Sequence, residues 1–131
     1  MSNAATKIQS VLLVDDDDNI RLIAQMSLEG LTDWEISEAR NGKEALAILA
    51  TKRPDLLLFD VMMPDMTGID LLSKTKELLG EQLPPVIFMT AKVQVSEIEK
   101  YIAIGAAGVI MKPFDPMTLP EQIQTVLTQM D

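Results

Sequence analysis

A run of four aspartates, Asp15–Asp18, follows the apolar segment Val11–Val14. One or two of these carboxylates, Asp17 or Asp18, can cap a helix, because an N-cap carboxylate accepts hydrogen bonds from free backbone N–H groups. Capping does not explain four neighbouring carboxylates, whose mutual repulsion is unfavourable without a counter-charge. A hard divalent cation bound by oxygen ligands would offset that repulsion. The run therefore indicates either helix capping alone or a cation site, and this segment by itself favours neither.

Three more groups that can do chemistry stand directly after apolar segments farther along the chain. Asp60 follows Leu56–Phe59, Thr90 follows Val86–Met89, and Lys112 follows Val109–Met111. Taken singly, such a threonine can cap the next helix, and such a lysine is usually a solvated terminus. Together, carboxylates, a hydroxyl and an ammonium suit phosphoryl transfer, in which cations neutralise phosphoryl oxygens while a carboxylate attacks in line. Mg²⁺ fits this set better than Zn²⁺, because only oxygen ligands are available.

These groups need a fold that brings the ends of several strands together. The four apolar segments are continuous, as strands covered on both faces are, whereas Trp34–Ala39 mixes apolar and polar residues like a half-exposed edge strand. Between them, apolar residues recur with helical spacing. The predicted helix faces are Ile20, Ile23, Ser27 and Leu28; Ala45, Leu46 and Leu49; Ile69, Leu72 and Leu79; Val95, Ile98, Tyr101 and Ile102; and Leu119, Ile123, Val126, Leu127 and Met130. Gly30 and Gly80 are expected to stop the first and third helices.

Strict alternation of strands and helices predicts an α/β fold, a doubly wound five-stranded parallel sheet with right-handed crossovers. We expect strand order 2-1-3-4-5, the flavodoxin-like (βα)5 sandwich, in which ligands bind beyond the carboxyl ends of the central strands. Strands one and three are then neighbours, so Asp60 should lie beside Asp15 and Asp16, where three carboxylates would share a proton or bind a cation. Residues 8–131 are expected to form this one domain, after an N-terminal tail, residues 1–7, partly derived from an expression vector.

Composition excludes several classes of function. The chain has 131 residues, 47% of them hydrophobic, which favours one folded domain over disorder. With 11 basic and 20 acidic residues the net charge is −9, which disfavours direct binding to nucleic acid. The absence of cysteine and histidine excludes disulfides, zinc–histidine centres and serine–histidine triads. No apolar run could span a membrane and the first residues are unlike a signal peptide, so we expect a cytoplasmic protein without membrane contact.

The sequence resembles the receiver domain of two-component response regulators, of the chemotaxis-regulator type, over nearly its whole length. The matching segments, in family order and at family spacing, are VLLVDDD (Val11–Asp17), LLLFDVMMPDMTGIDLL (Leu56–Leu72), FMTA (Phe88–Ala91) and MKPF (Met111–Phe114). Any one of these motifs is weak, whereas their combination is highly specific. The resemblance implies a phosphorylation-dependent signalling switch of a two-component phosphorelay. Such a domain is not an enzyme with its own substrate, and has at most slow self-dephosphorylation.

The resemblance also implies a role for each site residue. Asp60 would be the phosphoacceptor, taking a phosphoryl group from a phosphohistidine to form an aspartyl phosphate. Thr90 would hydrogen-bond one phosphoryl oxygen, and Lys112 would pair with another. Mg²⁺ would be bound by Asp15, Asp16, Asp60 and the main-chain carbonyl of Met62, with Asp15 acting partly through water. Because this chain has no histidine, the donor must be another protein, a sensor histidine kinase or a histidine phosphotransfer protein.

Phosphorylation is expected to act through Thr90, which would move toward the phosphoryl group and alter the surface formed by helix four, strand five and helix five. Receivers often place a coupled aromatic residue on strand five, where this chain has Val109. This departure puts an aromatic switch in doubt, and Tyr101 on helix four is interpreted as packing rather than as a substitute. Met62 and Lys92 would flank the path of the attacking water. Because a methionine cannot orient that water, we expect slow self-dephosphorylation.

Three alternatives remain open at this point. An aspartate-nucleophile phosphohydrolase would usually carry a second carboxylate two residues after the nucleophile, where this chain has Met62. A degenerate receiver would act as a phosphate-independent interaction module, although every chemical position is intact. A flavodoxin-like cofactor binder shares the fold, which is poor evidence of function. The other expected partners are a downstream protein target or an output domain, and a homodimer through helices four and five is also open.

Overall fold

The computed structural model describes residues 7–91 and 94–129, and within them strands and helices alternate along the chain. The five strands are parallel and lie in the order β2-β1-β3-β4-β5, which confirms the predicted sheet. The strands are β1 (Ser10–Val14), β2 (Glu35–Ala39), β3 (Leu56–Asp60), β4 (Val86–Thr90) and β5 (Gly108–Met111). The helices are α1 (Asp18–Leu31), α2 (Gly42–Leu49), α3 (Gly68–Leu79), α4 (Val95–Ala103) and α5 (Leu119–Gln129), with a short 3₁₀ helix at Gly80–Gln82. Most of the predicted tail, Lys92 and Met130 lie outside the described residues.

Each face of the sheet carries its own apolar core, because successive side chains of a strand point to opposite faces. On β1, Leu12 and Val14 pack beneath α2, α3 and α4, whereas Val11 and Leu13 pack beneath α1 and α5. Strands β1, β3 and β4 are buried almost throughout, which explains why their sequences are continuously apolar. Strand β2 is buried only at Ala39, as its mixed composition predicts for an edge strand.

The helices bury narrower stripes than the apolar spacing predicts. A helix contacts a sheet along one line of side chains. Each successive residue is rotated by about 100° around the helix axis, so the residue next to a buried one points away from the sheet. On α1 the buried stripe consists of Ala24, Ser27 and Leu28, two of which are small and let the helix lie close to the sheet. Four residues predicted to lie on buried faces are therefore exposed: Ile23, Ile69, Val95 and Ile102. None of the described helices is both long and apolar enough to cross a membrane.

Local chemistry explains where the helices begin and end. The Asp17 side chain accepts hydrogen bonds from two backbone N–H groups at the start of α1, at 2.9 and 3.1 Å, and so caps this helix as predicted. Gly80 ends α3 with a φ of 56°, in the left-handed region that favours glycine. The prediction for Gly30 is wrong, because α1 continues past it to Leu31.

Candidate functional site

The carboxyl ends of β1 and β3 bring three carboxylates together. The two strands pair directly, with Val14 opposite Phe59. Asp15 and Asp16 follow β1, and Asp60 is the last residue of β3. One oxygen from each of these three carboxyl groups lies within 4.8 Å of the others, as the strand order predicts. We call these residues the acidic triad; its first and last members are buried, whereas Asp16 is exposed.

Asp15 is fixed by contacts with several elements. Its N–H donates to the carbonyl of Ala39 on β2 at 3.2 Å, and its Oδ1 accepts a hydrogen bond from the N–H of Asp17 at 2.9 Å. Its carbonyl accepts a hydrogen bond from Arg21 Nη1 at 2.8 Å. Asp15 Oδ2 is buried, and its contact with a cation in the described part of the chain is the ion pair with Lys112 Nζ at 2.8 Å. Such an oxygen has lone pairs left for a cation.

Lys112 closes the site from the end of β5. Its N–H donates to the carbonyl of Thr90 at 2.9 Å, and its Nζ lies 2.8 Å from Asp15 Oδ2 and 2.9 Å from Asp60 Oδ1. Burial acts to lower the pKa of Lys112, but its contacts with Asp15 and Asp60 outweigh burial and raise the pKa. The ammonium therefore stays charged and offsets part of the charge of the acidic triad. The peptide bond between Lys112 and Pro113 is cis.

The surroundings of Asp60 raise the pKa of its carboxyl group from 3.8 to about 6. Burial is the main cause, the charge of Asp15 and a hydrogen bond with Asp16 add to it, and the hydrogen bond with Lys112 acts in the opposite direction. At pH 7.5 the carboxylate still predominates, so the group can act as a nucleophile. Its negative charge is nevertheless poorly solvated, and a ligand that brings positive charge would stabilise it.

The loop between β3 and α3 is held against the acidic triad. The N–H of Gly68 donates to the carbonyl of Val61 at 2.8 Å. A Cβ at Gly68 would lie 2.5 Å from the main-chain oxygen of Asp60, so glycine is required for this close approach. Asp65 accepts hydrogen bonds from two N–H groups at the start of α2, both at 3.1 Å. Met62 lies in this loop at the rim of the site and is 73% exposed.

An open cleft of about 520 Å³ surrounds the acidic triad. Its lining includes Thr90, which is buried at the end of β4, and the predicted residues Met62 and Lys112. Two residues of α4, Glu97 and Tyr101, also line it. The structure thus brings together every predicted site residue that it describes except Val109.

Val109 is half-buried and packs against the core instead of lining the cleft. It lies opposite Phe88 on the neighbouring strand and contacts the core that contains Phe88 and Tyr101. Tyr101 is buried, as predicted, and its ring centroid lies 5.0 Å from that of Phe88. The aromatic contact with β4 is therefore made from α4, while β5 supplies an aliphatic side chain. Lys92, the second residue predicted to tune the phosphate lifetime, belongs to the segment outside the described residues.

Sequence reasoning missed Arg21, Glu97 and Tyr101 as neighbours of the site. Arg21 follows Asp18 by three residues, and this ion-pair spacing on a helix was a signal that could have drawn attention to it. The two α4 residues carry no such signal, because their place at the cleft depends on how α4 packs against the sheet.

A buried aspartate, set between two further carboxylates and a lysine at the carboxyl edge of a doubly wound sheet, is the arrangement of a phosphoacceptor regulatory domain. The response regulator receiver domain family matches residues 11–124. The chain therefore belongs to the response regulator receiver domain family, which confirms the resemblance drawn from its motifs. The acidic triad is typical of the Mg²⁺ site of this family. Membership also implies a histidine kinase as the partner.

Solved and curated relatives agree with this membership. The chemotaxis response regulator CheY4 of Vibrio cholerae, whose structure is known at high resolution, is 32% identical in sequence to this chain. The two structures match with a TM-score of 0.82, over 92% of this chain and 99% of the CheY4 chain. The probable transcriptional regulator ycf27 of Cyanidium caldarium is 38% identical over 117 residues, 89% of this chain and 45% of the relative. The phosphate regulon transcriptional regulatory protein PhoB of Pseudomonas aeruginosa is 34% identical over 122 residues, 91% of this chain and 52% of PhoB. The chain thus spans about half the length of these two curated relatives.

Proposed function

We propose that this domain is a phosphorylation-dependent signalling switch of a two-component phosphorelay, with Asp60 as the phosphoacceptor. The observation that carries the proposal is one buried carboxylate, Asp60, set among two further carboxylates and the ammonium of Lys112. We take residues 8–131 as the domain, since Ile8 is already buried in the core beneath α1 and α5.

The chemistry proposed for Asp60 is phosphoryl transfer from a phosphohistidine. A carboxylate oxygen of Asp60 attacks the phosphorus in line; the O–P bond forms as the P–N bond breaks, and the imidazole leaves with that electron pair. Lys112 Nζ lies 2.9 Å from Asp60 Oδ1, so its ammonium is well placed to pair with a transferred phosphoryl oxygen. The Thr90 hydroxyl, at the end of the adjacent strand β4, would donate to another.

The acidic triad is suited to a divalent cation. Its three oxygen donors lie within 4.8 Å of one another, and its three carboxyl groups outnumber the one ammonium, that of Lys112, which contacts Asp15 and Asp60. In this proposal Asp15, Asp16, Asp60 and the main-chain carbonyl of Met62 hold Mg²⁺, an ion that prefers oxygen ligands. When bound, Mg²⁺ supplies positive charge that neutralises phosphoryl oxygens.

The output surface in this proposal is formed by α4, β5 and α5. A phosphoryl group adds about two negative charges at Asp60, and the carbonyl of Thr90 is already bonded to the N–H of Lys112 at 2.9 Å, so movement of Thr90 would affect β5. Val95 on α4 and Met111 on β5 are 74% and 56% exposed, and a downstream protein, an output domain or a second copy would cover them. Because Val109 is aliphatic, the switch would work without an aromatic residue on β5.

The phosphohistidine donor would approach from the side of α1. Ile20 and Ile23 of α1 line an apolar pocket with Pro113 and Phe114, and Lys112 borders both this pocket and the cleft of the acidic triad. A sensor histidine kinase or a histidine phosphotransfer protein that docked here would bring its phosphohistidine next to Asp60. In this proposal the phosphohistidine donor and this domain would meet in the cytoplasm.

The test is the intact mass of the protein after incubation with acetyl phosphate and Mg²⁺. We expect one phosphoryl adduct that requires Mg²⁺ and is absent from Asp60→Ala. Asp55→Ala, which alters the residue just before the same strand, is the matched control and should keep the adduct. If the wild-type protein forms no adduct, and beryllofluoride leaves its amide NMR spectrum unchanged, the domain is a phosphate-independent interaction module.

A further inference from the structure

Arg21 lies on α1 beside the acidic triad, and the chemistry proposed above does not use it. Three groups contact its guanidinium. Nη1 donates to the main-chain carbonyl of Asp15 at 2.8 Å, Nη2 donates to Asp18 Oδ1 at 2.6 Å, and Nε lies 3.3 Å from Glu38 Oε1. These three groups belong to the end of β1, the start of α1 and strand β2. Only 13% of the Arg21 side chain is exposed.

Helix stability does not explain the position of Arg21. It lies near the beginning of α1, where the helix dipole favours anions and disfavours cations. Arg40 offers a contrast, because its ion pair with Glu44 leaves 66% of the Arg40 side chain exposed, and such surface pairs contribute little to stability. Burying a guanidinium costs desolvation, which the three contacts of Arg21 must offset.

The carbonyl that Arg21 binds belongs to the peptide unit between Asp15 and Asp16. Because a peptide unit is planar, holding its oxygen restricts backbone rotation on both sides, at ψ of Asp15 and φ of Asp16. These two angles set how the Cα–Cβ bond of Asp16 is oriented relative to that of Asp15, and so affect where the two carboxylates lie relative to each other. Asp18 and Glu38 in turn hold the plane of the guanidinium.

We propose that Arg21 is a positioning residue for the acidic triad: through the Asp15 carbonyl it orients Asp15 and Asp16 for cation binding. This inference rests on the proposed function, because it concerns Mg²⁺ binding by the triad. Residues that orient metal ligands without touching the metal typically change metal affinity by about 10- to 100-fold when they are replaced. Loss of the Arg21 contact is therefore expected to weaken Mg²⁺ binding by about tenfold.

Charge and positioning predict opposite effects of removing this arginine. Arg21→Gln deletes a positive charge near the acidic triad, so an effect of charge alone would strengthen the binding of Mg²⁺. Loss of positioning would weaken that binding. A role in folding alone would lower the free energy of unfolding and leave the Mg²⁺ dissociation constant of the folded protein unchanged.

The experiment is a Mg²⁺ titration of the full chain followed by amide NMR shifts, which report on the folded molecules. We expect Arg21→Gln to raise the Mg²⁺ dissociation constant by about tenfold. Arg21→Lys, which keeps the positive charge but replaces the planar fork by a single nitrogen, should fall between Arg21→Gln and the wild-type protein. The control is Arg40→Gln, which removes the same charge from the exposed Arg40–Glu44 pair and should leave the constant unchanged.

An unchanged or lower dissociation constant for Arg21→Gln would overturn the inference while leaving the proposed function intact. If Arg21→Gln does not fold, Arg21→Lys gives the test, because it keeps the positive charge while the planar guanidinium is lost. Weakened Mg²⁺ binding by Arg21→Lys then supports the inference, and unchanged binding overturns it. If the wild-type protein itself binds no Mg²⁺, the proposed function fails, and the inference fails with it.

Discussion

Asp55 and Asp60 lie at opposite ends of β3 in very different surroundings. Asp55 Oδ2 accepts hydrogen bonds from the N–H groups of Gln9 at 2.9 Å and Ser10 at 3.1 Å, which ties the start of β3 to the start of β1. Asp60 instead faces two carboxylates and one ammonium, and burial raises its pKa to about 6. The first carboxylate satisfies backbone donors that need a partner in any case. The second carries a charge that its surroundings solvate poorly.

This difference separates a structural carboxylate from a reactive one. The partners of Asp55 are fixed N–H groups, so a ligand could add little to its stability. Asp60 is incompletely stabilised by its neighbours, so a cation or a phosphoryl group has much to add. Substitutions at the two ends of β3 should therefore change the free energy of unfolding in opposite directions.

Asp60→Asn should stabilise the protein when no divalent cation is present. A carboxyl group with a pKa of 3.8 when unfolded and about 6 when folded destabilises the folded state at pH 7.5, by on the order of 1–3 kcal/mol. Asparagine cannot ionise and does not carry this cost. Urea denaturation of both proteins in EDTA at pH 7.5 measures the difference. A less stable Asp60→Asn variant would contradict our account of the charge at this site.

The same comparison has a predicted pH dependence. Because the folded-state pKa of Asp60 is raised, its contribution to stability is fully present below pH 3.8 and is lost as the pH rises through about 6. The advantage of Asp60→Asn should therefore shrink to roughly half by pH 5 and to about a fifth by pH 4. A constant advantage across this range would show that packing, rather than ionisation, stabilises the variant.

Asp55→Ala should have the opposite effect. It leaves the N–H groups of Gln9 and Ser10 without their acceptor, which costs about 2 kcal/mol of the free energy of unfolding. The measurement is urea denaturation at pH 7.5. Asp33→Ala, an exposed aspartate in the loop before β2, is the control and should change stability by less than about 0.5 kcal/mol. If both variants behave alike, Asp55 is not the structural tie that its contacts indicate.

The strands, their order and the convergence of the site residues could be predicted from the sequence because they depend on local pattern and topology. A continuous apolar segment indicates a strand buried on both faces, and alternating strands and helices indicate a parallel sheet. Asp60, Thr90 and Lys112 each stand at or directly after such a strand. Topology alone then gathers them at one edge.

Features that depend on how a helix rotates and packs could not be predicted in this way. Ile23 and Ile69 fit a helical period but lie one position away from the buried stripe, and a period does not reveal which position faces the sheet. Gly30 looked like a helix end, yet the chain stays helical through it because Thr32 caps the helix. The place of Tyr101 at the cleft depends on α4 docking against Phe88, a contact between distant parts of the chain.

The smallest expected effect concerns the lifetime of the phosphate at the reactive end of β3. Met62 stands two residues after Asp60, and its thioether cannot orient an attacking water as an amide could. We expect slow loss of the phosphoryl group from the wild-type protein, and Met62→Asn should speed that loss by up to about tenfold, or about 1.4 kcal/mol in barrier height. Mass spectrometry of the adduct over time measures both rates.

The matched control for this substitution is Met117→Asn. Met117 is 70% exposed, close to the 73% of Met62, but it does not line the cleft. Both variants should fold like the wild-type protein, because neither side chain is part of the core, so a difference in phosphate lifetime between them reports on the site itself. Two outcomes would contradict this prediction: equal phosphate lifetimes for the two variants, or a half-life of seconds in the wild-type protein. Either would mean that Met62 does not control the access of water to the phosphoryl group on Asp60.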